Sequence, residues 1–182
     1  MKYEIIYADP PWHYAKRKTG TLFGGGVTDK YPTMTVEEIC AIPVKDWVAD
    51  DSMLFLWTTM PYLEQSFQVV NAWGFEYKTM AFTWVKCNKD GTPWRGVGNW
   101  TKSNAELCLL CRRGKVLPRA SKSVAQIIYE PRREHSRKPD RVRDDIVKLV
   151  GDRPRLEMFA RTATPGWAVW GNETNKFTGE KK

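Results

Sequence analysis

The chain has 182 residues, enough for one domain with a real core, and its 27% charged and 42% hydrophobic fractions are those of a globular protein. No stretch is long and apolar enough to cross a membrane as a helix, and the start lacks the apolar core and cleavage site of a signal peptide. A net charge of +8 favours polyanions, with nucleic acid the first candidate. Nine tryptophans are many for this length, and they can serve a core or a pocket for flat ligands. Cys40, Cys87, Cys108 and Cys111 are not spaced as a disulfide framework, which points to the cytoplasm. Cys108 and Cys111 have a metal-like spacing. They sit in an apolar run that reads as a strand, where they fall on opposite faces, and this argues against zinc.

The first element is the apolar run Tyr3 to Ala8, a buried strand ended by two prolines in Asp9-Pro10-Pro11-Trp12. An irregular stretch follows from His13 to about Met34, with Tyr14, Lys16, Arg17, Lys18 and three consecutive glycines. Long loops of this kind are functional or mobile, and its place after the motif suits a lid. The glycines lack the Lys-Ser/Thr ending of a phosphate loop. Thr35 to Glu38 carries the capping-box pattern and predicts a short helix. Ser52 to Trp57 reads as a second strand. Pro61 then opens a helix with Leu63, Phe67, Val70 and Trp73 on one face and Gly74 as its stop.

Lys78 to Lys86 reads as a strand. The loop from Asn88 to about Ser103 carries Trp94, Arg95, Trp100 and Lys102. Rings interleaved with cations suit a single-stranded nucleic-acid surface, and they equally suit an ordinary loop anchored by two tryptophans. Glu106 to Arg112 and Ala125 to Tyr129 read as strands, followed by the basic segment Arg132, Arg133, His135, Arg137, Lys138. Pro139 opens a helix with Val142, Ile146 and Leu149 on one face, and Gly151 ends it. Leu156 to Arg161 and Trp167 to Trp170 read as the last strands. Residues 1–173 form one domain on this reading, and 174–182 a polar, flexible tail. Strands alternating with helices predict an α/β sheet layered by helices.

A carboxylate and a ring fixed by two prolines at the carboxyl end of a strand make a plausible pocket for a planar base with an amino group. The lone pair of such an amine is delocalised and poorly nucleophilic. Asp9 and the Pro10 carbonyl could hold its two N–H groups and orient the nitrogen, while Trp12 stacks on the base. Direct displacement on a positively charged methyl donor would follow, driven by alignment. A base paired in a duplex must first be flipped out.

Asp9-Pro10-Pro11-Trp12 after an apolar strand resembles the signature of the MT-A70 family of adenine-N6 methyltransferases. Ordered blocks downstream are similar as well: Tyr31 to Thr35 with Glu37-Glu38-Ile39, Asn104 to Leu109, His135 to Asp140, Leu156 to Arg161, and Trp167 with Gly171-Asn172-Glu173. The resemblance runs from about Tyr3 to Glu173. It implies a Rossmann-like methyltransferase fold: a mostly parallel twisted sheet with helices on both faces, in a permuted motif order. It implies S-adenosylmethionine as cofactor.

By motif, Lys138 would hold the methionine carboxylate, Arg161 and Asn172 the ribose hydroxyls, and Phe159 the adenine ring. Glu173, where relatives often have Gln, would accept from the cofactor's amino group. Asp9 would serve both the amine and the space near the donor methyl. Glu106 would lie near the acceptor pocket. Tyr14, Lys16, Arg17, Lys18, Trp94, Arg95, Trp100, Lys102, Arg132, Arg133 and His135 would meet nucleic acid. The eukaryotic mRNA enzymes carry a long extension before this domain, whereas this chain starts almost at the motif strand. It therefore looks like the compact bacterial and phage members, expected to act on DNA in a bacterial or phage-infected cell. RNA as the substrate, and a non-catalytic nucleic-acid-binding subunit, are the alternatives. The sequence leaves open whether the chain acts alone, as a homodimer or with a partner subunit.

Overall fold

A computed structural model describes residues 2–13, 32–96, 100–133 and 137–171. Within them the chain forms β1 (Tyr3–Ala8), α1 (Val36–Cys40), β2 (Val48–Thr58), α2 (Leu63–Ala72), β3 (Glu76–Cys87), β4 (Ala105–Arg113), β5 (Ile127–Pro131), α3 (Arg141–Val150), β6 (Arg155–Met158) and β7 (Ala168–Trp170). The strands make one seven-stranded sheet in the order β5-β3-β4-β2-β1-β6-β7. Neighbours are parallel except at β4, which runs against both β2 and β3.

Alternation along the strands divides the core in two. Ile6, Ala8, Leu54 and Leu56 face α1 and α2, where Ile39, Val69 and Trp73 meet them. Ile5, Tyr7, Phe55 and Trp57 face α3, where Val142, Ile146 and Val150 lie. Helices thus cover both faces, as a Rossmann-like methyltransferase fold requires. Cys108 packs in the second cluster and Cys111 in the first, on opposite faces as their spacing demands.

The expected capping box is present: the Glu38 N–H donates to the Thr35 hydroxyl, and the Thr35 N–H donates to the Glu38 carboxylate at 2.7 Å. Other boundaries moved for physical reasons. Pro61 sits in a 3₁₀ turn, Met60–Tyr62, and the α-helix begins only after it. β5 starts two residues later than expected. Gln126 is used instead to bond Met80, and Pro131 is tolerated because the strand is an edge. β6 ends at Met158, because Phe159 adopts a left-handed backbone with φ +60°.

β1 lies between β2 on one side and β6 on the other, so the chain switches direction of travel across the sheet there. Such a switch point leaves a crevice beyond the carboxyl ends of the strands. Asp9, Phe159 and Gly171 follow β1, β6 and β7 directly and so reach that edge. Because β4 is antiparallel, its first residues reach the same edge, and they include Glu106.

Candidate active site

The motif turn is held by backbone bonds. The Trp12 N–H donates to the Pro10 carbonyl at 2.9 Å, the Met34 N–H to Pro11 at 2.8 Å, and the His13 N–H to Met34 at 3.1 Å. The Trp12 indole donates to the Trp57 carbonyl at 3.3 Å and stacks on Tyr62 with centroids 5.4 Å apart. Only 5% of Trp12 is exposed. The ring therefore differs from the open stacking platform that the sequence suggests. Its indole N–H needs an acceptor, which the Trp57 carbonyl supplies, and Tyr62 supplies the packing.

The motif carboxylate faces a lysine. Lys138 Nζ donates to Asp9 Oδ1 at 2.7 Å and to Oδ2 at 2.8 Å, and lies 3.1 Å from Glu106 Oε2. It also sits 5.7 Å from the Trp57 ring centre. A lysine just before a helix opposes the helix dipole and asks for an anionic partner. Here the chain itself provides two. Lys86 Nζ holds the other oxygen of Glu106 at 2.5 Å.

Burial and charge set these groups against one another. Burial pushes the Asp9 carboxyl above its ordinary value, against the pull of Lys138. Burial acts on Glu106 in the same way, but Lys138 and Lys86 more than offset it and hold it down to about 2. Burial works against the Lys138 ammonium, yet Asp9 and Glu106 raise it above the usual lysine value. Glu106 and Lys138 are therefore charged near neutral pH.

A cleft opens beside Asp9 and Lys138. Its walls include Phe159, Arg161, Arg143 and Glu157. Arg143 grips Glu157 with two bonds, at 2.7 and 2.5 Å, which ties α3 to β6. Phe159 meets Trp170 edge-on with centroids 5.3 Å apart. Cations, acceptors and the aromatic rings of Tyr7 and Phe159 in a single cleft form a set that suits a zwitterionic nucleoside such as S-adenosylmethionine.

The model of the MT-A70 family matches residues 3–173. The chain belongs to the MT-A70 family. That makes it an S-adenosylmethionine-dependent adenine-N6 methyltransferase by class. It is 36% identical to the type II methyltransferase M.MunI of a Mycoplasma species, over 94% of this chain and 78% of that protein. It is 30% identical to the N6-methyladenosine RNA methyltransferase MTA1 of Cryphonectria parasitica, over 96% of this chain and 52% of that one. It is 29% identical to the human N(6)-adenosine-methyltransferase catalytic subunit METTL3, over 94% of this chain but only 28% of that protein.

Of the cofactor residues that MT-A70 resemblance implies, Asp9, Lys138, Phe159 and Arg161 all line this cleft. Asn172 and Glu173 lie outside the described residues, as do Tyr14, Lys16, Arg17, Lys18 and His135, and with them the expected lid. Glu106 joins the site through Lys138. Trp94 is half-buried, with Arg132 over its ring at 4.5 Å and Lys86 at 5.8 Å. Arg132 and Arg133 also line a second hollow with Asn88 and Lys89. Arg95 and Lys102 are exposed, and Trp100 is 99% exposed.

Sequence reasoning missed Lys86, Arg143 and Glu157. Glu157 left a signal: a carboxylate inside the apolar block Leu156 to Phe159, at the functional edge of a strand. Lys86 left none, because a lysine at a strand end reads as solvated.

Proposed function

We propose that this MT-A70 enzyme transfers a methyl group from S-adenosylmethionine to N6 of adenine in DNA. The observation that carries the reading is the Asp9 carboxylate, fixed at the carboxyl end of β1 between Lys138 and the cleft. The type II methyltransferase relative favours DNA, since the chain spans 78% of it, against 52% and 28% for the RNA and adenosine enzymes.

S-adenosylmethionine supplies a methyl group on a positively charged sulfur, which departs as a neutral thioether. The chain's part is to hold and to aim. Lys138 and Arg161 offer positive charge to the carboxylate end, Phe159 a ring to the base, and Asn172 and Glu173 polar contacts. Asp9 accepts an N–H of the target amine. The Pro10 carbonyl accepts from Trp12 through one lone pair, and its second remains for the amine. Trp12, packed on Tyr62, serves as a rigid wall that keeps the turn in place. After attack, N6 is a strongly acidic aminium, so its proton leaves without a strong base, and Asp9 works as an aiming acceptor. Lys138 favours the ionised form of that acceptor, and Glu106 helps to hold Lys138 in position.

Labelled S-adenosylmethionine offered with single-stranded DNA, duplex DNA and RNA tests the proposal. The expected result is label in adenine of DNA. Label in RNA alone moves the substrate to RNA, and no label anywhere, with cofactor bound, overturns the enzyme reading for this chain. Asp9→Ala should abolish transfer; retained transfer would remove Asp9 from its role. Lys138→Met should weaken cofactor binding, and an unchanged dissociation constant would exclude it from the cofactor site.

A further inference from the structure

Lys86, at the penultimate position of β3, has no part in the chemistry above. Its Nζ lies 2.5 Å from Glu106 Oε1, and the other oxygen of that carboxylate lies 3.1 Å from Lys138 Nζ. Lys138 in turn bonds both oxygens of Asp9. The result is a row of four alternating basic and acidic side chains, Lys86, Glu106, Lys138 and Asp9, that leads from the β3 end to the amine acceptor. The row is well shielded: the side chains of Lys86, Glu106 and Lys138 are 19%, 13% and 9% exposed. In such surroundings each charge depends on its neighbours.

Take Lys86 away, and Glu106 keeps one cation where it had two. It then has two courses. It can take up a proton, which releases its hold on Lys138. Or it can draw Lys138 towards itself, away from Asp9. Either course alters the carboxylate that meets the amine.

We propose that Lys86 is a positioning residue for methyl transfer: by holding Glu106 it fixes the Lys138 ammonium between Glu106 and Asp9, and so sets the geometry of the amine acceptor. The inference rests on Asp9 having that acceptor role. Among the described residues, the charged groups acting on Glu106 are Lys86 from β3, Lys138 from the segment before α3 and Asp9 after β1. Asp9 feels Lys138, Glu106, Glu157 from β6 and, from beyond β6, Arg161. The low Glu106 value, about 2, is the expected mark of a carboxylate held by two cations. Lys86 also lies 5.0 Å from the Trp84 ring and 5.8 Å from the Trp94 ring, so support of the Trp94 loop is the competing role.

The test compares wild type, Lys86→Gln and Lys86→Arg. Nuclear magnetic resonance titration of the Glu106 side-chain carboxyl should show its pKa up by about one unit or more in Lys86→Gln and still low in Lys86→Arg. For methyl transfer, kcat should fall about 10- to 100-fold in Lys86→Gln, with the nucleic-acid KM nearly unchanged, and Lys86→Arg should restore most of it. In Lys86→Gln the acid limb of the kcat profile should move to higher pH. An unshifted Glu106, an unchanged kcat, or a rise confined to KM overturns the inference, the last by making Lys86 a support of the nucleic-acid surface. Thermal melting controls for folding, and Lys86→Met stands in if Lys86→Gln does not fold. A wild-type enzyme that transfers nothing refutes the proposed function instead, and the Glu106 titration still judges the coupling.

Discussion

Three carboxylates crowd the carboxyl edge of the sheet, and their neighbours give them opposite leanings. Burial raises Asp9 and Glu157, the latter in spite of its two bonds from Arg143. Glu106 is held down to about 2 by its two lysines. The consequences for stability have opposite signs. Glu106 contributes stability above its ordinary value of 4.5, and that contribution is lost as pH falls towards about 2. Asp9 and Glu157 favour the protonated form on folding, so their contribution is lost as pH rises through their raised values. Glu106→Gln should therefore flatten the loss of stability between pH 4.5 and about 2. It should also lower stability at neutral pH by about 3 kcal/mol, since two shielded ammonium groups lose a shared partner. Urea unfolding across a pH series measures both; parallel curves for wild type and variant would show that Glu106 does not carry the acid dependence. The motif aspartate was legible from sequence because prolines fix where it stands. The partners that set its charge were not, since Lys138 lies 129 positions away and meets it only once the sheet is formed.

Elements were legible where one local signal governed them. The capping box marked α1, apolar spacing marked α2 and α3, and Gly74 and Gly151, both with positive φ, mark where those helices stop. The misplaced boundaries are those set by pairing. β5 takes its register from β3, with Thr83 opposite Ile127, and no local pattern announces that. β6 was expected to reach Arg161, but Phe159 turns out of the strand so that its ring meets Trp170 and the cleft. Gly171 makes that turn possible. A methyl group added there would stand 2.9 Å from both the N and the O of Ala160 and 3.1 Å from the Phe159 carbonyl carbon, all rigid backbone. Gly171→Ala should thus cost about 1–3 kcal/mol of stability and reduce cofactor affinity together, through displacement of Phe159. Thermal unfolding and calorimetric titration with S-adenosylmethionine measure the pair. Lower stability with wild-type affinity would separate this contact from the cofactor cleft.

For the molecule as a whole, composition gave the charge but not its placement. An excess of 29 basic over 21 acidic residues says polyanion without saying where. Much of the positive charge near the site is already engaged: Lys86 and Lys138 by carboxylates, Arg143 by Glu157, and Arg133 and Arg137 by Asp140. Arg132, by contrast, lies over Trp94 at the rim of the second hollow, and Trp100 stands out in solvent beyond it in sequence. These two side chains allow charge and stacking to be told apart. Arg132→Ala should weaken binding to all sequences alike and reduce the slope of log affinity against log salt by about 1, as the loss of one phosphate contact does. Trp100→Ala should weaken binding to single strands by about 1–3 kcal/mol with the slope unchanged, because a stacked ring releases no counterions. Cofactor affinity should stay at its wild-type value in both variants, since neither residue lines the cleft beside Asp9. Fluorescence anisotropy with single-stranded and duplex DNA across a salt series reads all of this. A Trp100→Ala protein that binds as tightly as wild type would remove the exposed ring from the nucleic-acid surface, and an unchanged slope in Arg132→Ala would leave that arginine as a support for Trp94.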